Sequence, residues 1–205
     1  MVSLWCLRKI VKPRRAWRVP SARIIAIAMA TPETRPQLAI RPVRNVDAPT
    51  LREIYNEAVE DGLVTFDPAS RSVEQQQRLI AAAERDARHP ILVADVRNWT
   101  CGMAALAPHD SHHELHDMAE VEIFVRRSFR SYGVGRQLMR AVQAEAARLG
   151  YRKLIGLVLA DSQDTLRLCQ ATGWRVVGQH ERHARHGDRL RDVTVVEFLV
   201  PPPAA

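Results

Sequence analysis

The sequence predicts an α/β fold (α+β in arrangement), a mixed sheet flanked by helices on both faces. Three observations predict it. Seven strand-like apolar runs alternate with segments of helical spacing in the order β-α-α-β-β-β-α-β-α-β-β. A glycine-containing loop, Arg130-Ser131-Tyr132-Gly133-Val134-Gly135, joins a strand-like run to a helix-like one. The composition, 46% hydrophobic and 26% charged over 205 residues, suits one globular domain with a core of ordinary size.

The elements follow in order. Leu38 to Val43 reads as a short strand ending near Pro42. Asp47 is placed to cap a helix with Pro49 in its first turn, and Leu51, Ile54, Tyr55 and Val59 make one apolar face. Ser72-Val73-Glu74-Gln75 resembles a capping box for a helix running to about Arg88. Ile91 to Asp95 is a strand, Arg97-Asn98-Trp99 a turn, and Thr100 to Ala107 the returning arm. Residues 108–118 are polar and read as a loop, and Ala119 to Arg126 as a strand. A helix is expected from Ser131 to Leu149, closed by Gly150, with Val134, Leu138, Val142, Ala146 and Leu149 on one face. Leu154 to Leu159 is a strand, and Ser162 to Ala171 a helix stopped by Gly173. Trp174 to His180 and Asp192 to Val200 make a hairpin around Gly187.

Charge separates the chain into parts. Residues 1–28 hold seven of the 30 Lys and Arg residues and none of the 23 Asp and Glu, so the remainder is formally neutral. The net charge of +7 therefore belongs to the leader, which argues against a nucleic-acid partner. Residues 1–35 are read as a basic leader, 36–200 as the folded domain and 201–205 as a tail. The favoured reading of the leader is a poorly ordered extension, or upstream translation with Met29 as the natural start. A targeting segment is the alternative, and the short, broken run from Ile24 to Ala30 disfavours a secretory signal. No stretch of 18 apolar residues offers a membrane span. Cys6, Cys101 and Cys169 form no CxxC pair, which fits a reducing, cytoplasmic setting.

The loop at Arg130 is the first chemical signal. Gly133 and Gly135 remove side chains where a backbone must approach a ligand. The first N–H groups of a helix have no partner inside it, and with the macrodipole they attract an anion. Arg130 adds a cation beside them. A pyrophosphate needs this combination, although a glycine-bearing helix start alone is a weak signal. No Gly-Lys-Ser/Thr follows, so it is not a Walker loop, and the element order is not that of a dinucleotide-binding unit.

Glu120 and Glu122 are two apart on one strand and share a face. A solvated face is the ordinary explanation of such a pair. His109, His112, His113 and His116 cluster with Asp110, Glu114 and Asp117. No second ligand group is obvious, so no metal is expected, and the segment reads as a solvated or substrate-lining loop. His180, His183 and His186 alternate with Arg182 and Arg185 near the hairpin, where a solvated strand end is the plain reading.

Arg130-x-x-Gly133-x-Gly135, following Glu120-Val-Glu-Ile-Phe-Val125, resembles the Q/R-x-x-G-x-G/A motif of the GNAT N-acetyltransferase superfamily. Ile54 to Val59, Thr65-Phe66-Asp67, Gly173-Trp174, and His186-Gly187 with Asp192 resemble segments of its phosphinothricin N-acetyltransferase-like branch. The likeness runs from about Leu38 to Val200. It implies a GNAT fold of about seven strands, with the fourth and fifth splayed apart around acetyl-CoA as co-substrate. It implies that backbone groups of Ile123, Phe124 and Val125 hold the pantetheine arm. The N–H groups of Ser131, Tyr132, Gly133, Val134, Gly135 and Arg136, with Arg130, would hold the pyrophosphate. Ser162, Thr165 and Cys169 fall at further cofactor positions. Glu120 stands at the position of the branch's catalytic glutamate, a base for the acceptor ammonium, and a backbone N–H near Val125 would stabilise the oxyanion. Phe66, Glu120, Val121 and Glu122 would line the acceptor site. The implied acceptor is a small amino-acid-like amine, attacked directly in a ternary complex, and the implied assembly is a homodimer.

Departures qualify the likeness. Ser162 replaces a frequent Asn, and Cys169 replaces Tyr or His near the leaving thiol, where a buried small residue is the simpler explanation. Glu114 to Met118 replaces aromatic and Arg residues, so the acceptor's identity stays open. The closing hairpin is one residue longer than usual, with Arg189 where Trp is common. A non-catalytic CoA-binding module is the alternative, along with transfer to another amine or a protein N-terminus. The joint presence of Glu120, Arg130, Gly133 and Gly135 favours an enzyme.

Overall fold

The computed structural model of the chain describes residues 38–109 and 113–202, apart from the His113 side chain. The leader expected at 1–35 and the last three residues of the tail lie outside these. The elements are β1 (Leu38–Pro42), α1 (Ala48–Glu60), α2 (Val73–Arg85), β2 (Ile91–Val96), β3 (Trp99–Pro108), β4 (Met118–Val125), α3 (Val134–Arg148), β5 (Lys153–Leu159), α4 (Gln163–Ala171), β6 (Arg175–His186) and β7 (Arg189–Leu199). Three short 3-10 turns join them, at Asn45–Asp47, His113–Leu115 and Arg127–Phe129. None of the described helices is long and apolar enough to cross a membrane.

The seven strands form one sheet in the order β1-β2-β3-β4-β5-β7-β6. Every neighbouring pair is antiparallel except β4 and β5, which are parallel. Met103, opposite Phe124 in register, packs with Leu51, Ile54, Ile80 and Val93 under α1 and α2. The next residue, Gly102, faces the other way: a Cβ there would meet Leu138 and Val134 of α3 at 2.9 and 3.3 Å. Helices therefore cover both faces, as the element order predicts. The fully buried Leu51, Ile54, Ile80 and Leu138 each contribute about 1.5–3 kcal/mol of transfer free energy.

Local chemistry sets several boundaries differently from the sequence expectation. Helix α3 begins at Val134 and not at Ser131, because Ser131 and Gly133 hold φ of 67° and 85°, outside the helical region. Helix α2 ends at Arg85, short of Arg88. Asp86 turns extended there, and its carboxylate binds Arg88 N–H at 3.0 Å and His89 Nδ1 at 2.6 Å. Ser72 does cap α2, accepting Gln75 N–H, while the Gln75 side chain accepts Ser72 N–H. Asp47 stands before α1 but makes no side-chain cap to it. Its carboxylate accepts Arg44 N–H at 2.7 Å and takes both Arg41 amino groups at 2.8 and 2.9 Å. The hairpin arms are longer than expected, because β6 and β7 keep pairing across an irregularity between His180 and Ala184, where Arg182 has φ 49°.

Candidate active site

The parallel pair is short. Only Met118, Ala119 and Glu120 pair with Lys153, Leu154 and Ile155. β4 continues to Val125 and β5 to Leu159 without pairing again, so the two strands part beyond Glu120 and leave a wedge. Arg126 N–H bonds Cys101 C=O at 2.9 Å, toward β3. Backbone groups alternate sides along a strand, so those of Val125, Ile123 and Val121 turn away from β3 and into the wedge. Those of Phe124 turn toward β3, which makes Phe124 the exception among the expected pantetheine contacts. Its side chain meets the Tyr55 ring edge-on at 5.3 Å between centroids.

Past the wedge mouth the chain makes the glycine loop. Gly133, with φ 85°, holds the N-cap position of α3, and no side chain caps the helix. A Cβ on Gly133 would meet nothing within 4 Å, so the backbone lies open to a ligand. Gly135 has a different reason to be glycine: a Cβ there would come within 3.1 Å of Leu168, so it lets α3 approach α4. Ser131, Tyr132 and Arg136 are exposed, and Val134 is buried. The Arg130 guanidinium is already engaged. It donates to Val125 C=O at 3.1 Å and pairs with Asp61 at 2.5 Å. Asp61 also binds Arg127 at 2.6 Å, and the two arginines hold its carboxyl below the ordinary value. Sequence reasoning supplied Arg130 as a cation for the loop but missed Asp61, 69 residues away, which neutralises much of it.

On the other side of the mouth, Ser162 Oγ and Thr165 Oγ1 lie 2.9 Å apart at the start of α4. Cys169 is buried on that helix, and burial pushes its thiol up to about 11.

The vertex of the wedge carries Glu120, the last residue of β4 paired with β5. Its Oε1 lies 3.0 Å from His109 Nδ1. The signal for this contact is in the hairpin register: Ala107 is opposite Glu120, and His109 is two residues further on the same face. Glu122 and Phe124 share that face, whereas Val121 is on the α3 side. Burial pushes the Glu122 carboxyl above its ordinary value, opposed by Arg71 and reinforced by Glu120.

The loop between α1 and α2 borders this face. Tyr55 Oη donates to Asp67 C=O at 2.6 Å. Thr65 Oγ1 donates to Leu157 C=O at 2.8 Å, on β5 beyond its last pair with β4. Phe66 is exposed and meets His183 edge-on at 5.8 Å, and His183 stacks on His180 at 4.7 Å. His186 Nε2 lies 3.1 Å from Thr65 C=O. Arg191 ties the parts together, donating to Gly62 C=O at 2.6 Å and to both Asp161 oxygens at 2.5 and 2.6 Å. An open hollow of about 560 Å³ lies around Arg191, lined by Asp61, Asp161, His186 and Leu190. Among the described residues, no three His, Cys, Asp or Glu side chains are grouped to hold a metal, and Asp110 to His112 lie outside them.

A mixed sheet whose one parallel pair parts is the fold of solved acetyltransferases. The phosphinothricin acetyltransferase of Sinorhizobium meliloti, solved in complex with acetyl-CoA, matches at a TM-score of 0.74 and 20% identity, over 80% of this chain and 88% of its own. The acetyltransferase yncA of Salmonella typhimurium, solved with acetyl-CoA, matches at 0.75 and 22%, over 82% and 97%. These two likenesses show the fold of an acetyltransferase, and the class itself, an acetyl-CoA-dependent N-acetyltransferase, rests on the family match. Residues 51–174, more than half of the chain, match the acetyltransferase (GNAT) family, and the chain belongs to that family. Its relatives include the L-amino acid N-acyltransferase of Escherichia coli, 24% identical over 78% of this chain and 93% of that one. The L-methionine sulfoximine/L-methionine sulfone acetyltransferase of Salmonella typhimurium is also 24% identical, over 82% and 98%.

Proposed function

We propose that the protein transfers an acetyl group from acetyl-CoA to the primary amine of a small amino-acid-like acceptor, such as phosphinothricin, methionine sulfoximine or methionine sulfone. Transfer is direct, in a ternary complex. The observation that carries this reading is Glu120, a carboxylate at the vertex where β4 and β5 part.

The residues present fit acetyl-CoA. Backbone groups of Ile123 and the Val125 N–H line the wedge for an extended amide arm, the Val125 C=O being taken by Arg130. The open N–H groups from Ser131 to Arg136 suit a pyrophosphate, because Gly133 offers no Cβ and α3 has no side-chain cap. Ser162 and Thr165 present hydroxyls at the other lip. When bound, the cofactor supplies an activated thioester. The protein's task is then to deprotonate and aim the amine. An ammonium has no lone pair to attack with, so Glu120 takes its proton, directly or through water. His109 at 3.0 Å fixes the carboxylate. Phe66 and Glu122 belong to the acceptor side in this reading, Glu122 as a second anion toward the ammonium, whereas the Val121 side chain lies on the opposite face of β4 and is not part of it. Cys169, with its thiol raised to about 11, is a poor proton donor to a departing thiolate, so water fills that role. A homodimer in the cytoplasm, without nucleic acid, membrane or metal, completes the proposal, and sedimentation checks the assembly.

The test is acetyl-CoA consumption over a panel of amino acids and amines, wild type against Glu120→Gln and Glu120→Ala. Loss of the general base is expected to lower kcat by about 10²- to 10⁴-fold, with the acetyl-CoA KM nearly unchanged. A rate equal to wild type at every pH removes Glu120 from the mechanism. A panel with no acetylated amino acid removes the acceptor class.

A further inference from the structure

Arg71 is the last residue of the loop between α1 and α2, immediately before the Ser72 cap. It is held at both ends. Its main chain is pinned to α1 by a single amide: Asn56 Oδ1 accepts Arg71 N–H at 2.8 Å, and Asn56 Nδ2 donates to Arg71 C=O at 3.1 Å. Its guanidinium carbon lies 3.5 Å from the centre of the Tyr55 ring. That ring cannot drift, since Tyr55 is buried, anchored through its hydroxyl to Asp67 C=O and wedged against Phe124.

This arrangement points into the acceptor face. Phe124 shares its side of β4 with Glu122 and Glu120, and Arg71 acts electrostatically on both Tyr55 and Glu122. Half-buried arginines ordinarily end on a carboxylate. Among the described residues Arg71 has no carboxylate within ion-pair distance. Seated over the Tyr55 ring, and interacting with the Tyr55 side chain, the guanidinium has five N–H donors, more than that one neighbour can use, which suits a planar, two-toothed partner. The glycine loop is no competitor for the role, because it follows the far end of β4, at the start of α3.

We propose that Arg71 is the receptor for the carboxylate of a zwitterionic α-amino acid acceptor, with the acceptor's amine turned toward Glu120 and Glu122. The inference rests on the reading that the acceptor enters on the Glu120 face. One amino acid then bridges two fixed charges of opposite sign, and its carboxylate selects it over a simple amine. Arg71 binds and orients substrate and takes no part in proton transfer.

The experiment compares kcat/KM for an amino acid acceptor with that for the matching amine lacking the carboxylate, in wild type, Arg71→Lys and Arg71→Ala. Methionine sulfone and its decarboxylated analogue are the probe pair. Losing a charge-assisted hydrogen-bonded pair is expected to lower the amino acid to amine preference by about 10- to 100-fold in Arg71→Ala, through KM rather than kcat. Arg71→Lys keeps the charge without the fork and is expected to fall between, which also covers the case of an Arg71→Ala chain that folds poorly. A preference unchanged in both variants overturns the role of Arg71 and leaves the acceptor class standing. A wild-type enzyme with no preference for the carboxylate overturns both.

Discussion

At the residue scale, Glu122 combines two properties that rarely coincide. It is exposed on β4, yet surrounding protein pushes its carboxyl above the ordinary value, with Arg71 opposing and Glu120 adding to the shift. The consequence for stability has a definite sign. An acid whose value is raised in the fold holds its proton there longer than in the unfolded chain, so the unfolded state gains as pH climbs through the carboxylate range. Glu122→Gln is therefore expected to raise the Tm at pH 7.5 and to leave it unchanged near pH 3, where both states are protonated. Calorimetry at the two pH values decides it, and a lower Tm at pH 7.5 would mean a charged, paired Glu122. Asp47 runs the other way. Burial alone would raise it, but Arg41 and Arg44 outweigh burial and hold it below its ordinary value. Its contribution is present above the unfolded carboxylate value and is lost as pH falls through the folded one.

At the element scale, the two glycines before and within the first turn of α3 do different work. Gly133 sits at φ 85° with open space beyond it, so Gly133→Ala introduces strain of about 1–2 kcal/mol without a clash. Gly135 is limited by Leu168. Gly135→Val is expected to push the start of α3 away from α4 and to raise the acetyl-CoA KM about tenfold or more, since small misplacements of binding groups are costly. Leu168→Ala in the same chain should recover much of that loss, and steady-state kinetics of the single and double variants is the check. The sequence marks both glycines as places where backbone must come close to something. It does not say that for Gly135 one such neighbour is another helix. Leu168 lies in a segment that local spacing identifies only as a helix.

At the scale of the whole molecule, the wedge depends on how α3 seats on the sheet. Gly102 makes that seat, and a Cβ there would stand 2.9 Å from Leu138 and 3.0 Å from Phe124 C=O, a backbone atom that cannot swing away. Gly102→Ala is expected to destabilise the fold by about 1–3 kcal/mol, measured by denaturant unfolding, because α3 or β4 must shift. The element order, the sheet class and most boundaries were legible, because strands and helices carry periods of 2 and 3.6 that any window of sequence displays. Where boundaries moved, a neighbour outside the window had intervened. Asp47 was drawn to Arg41, and β6 continued because β7 lay beside it.

The sequence by itself determined the parts of the candidate site: the glycine loop at a helix start, and Glu120 and Glu122 on one face of the preceding strand. These follow from spacing along a short segment and from side chains that glycine lacks. Only the tertiary structure decided that β4 and β5 part after Glu120, that His109 lies against it, that Asp61 occupies Arg130, and that Arg71 stands over Tyr55. Each of these is a meeting of residues from different elements, set by sheet register and helix packing, and no local period encodes it.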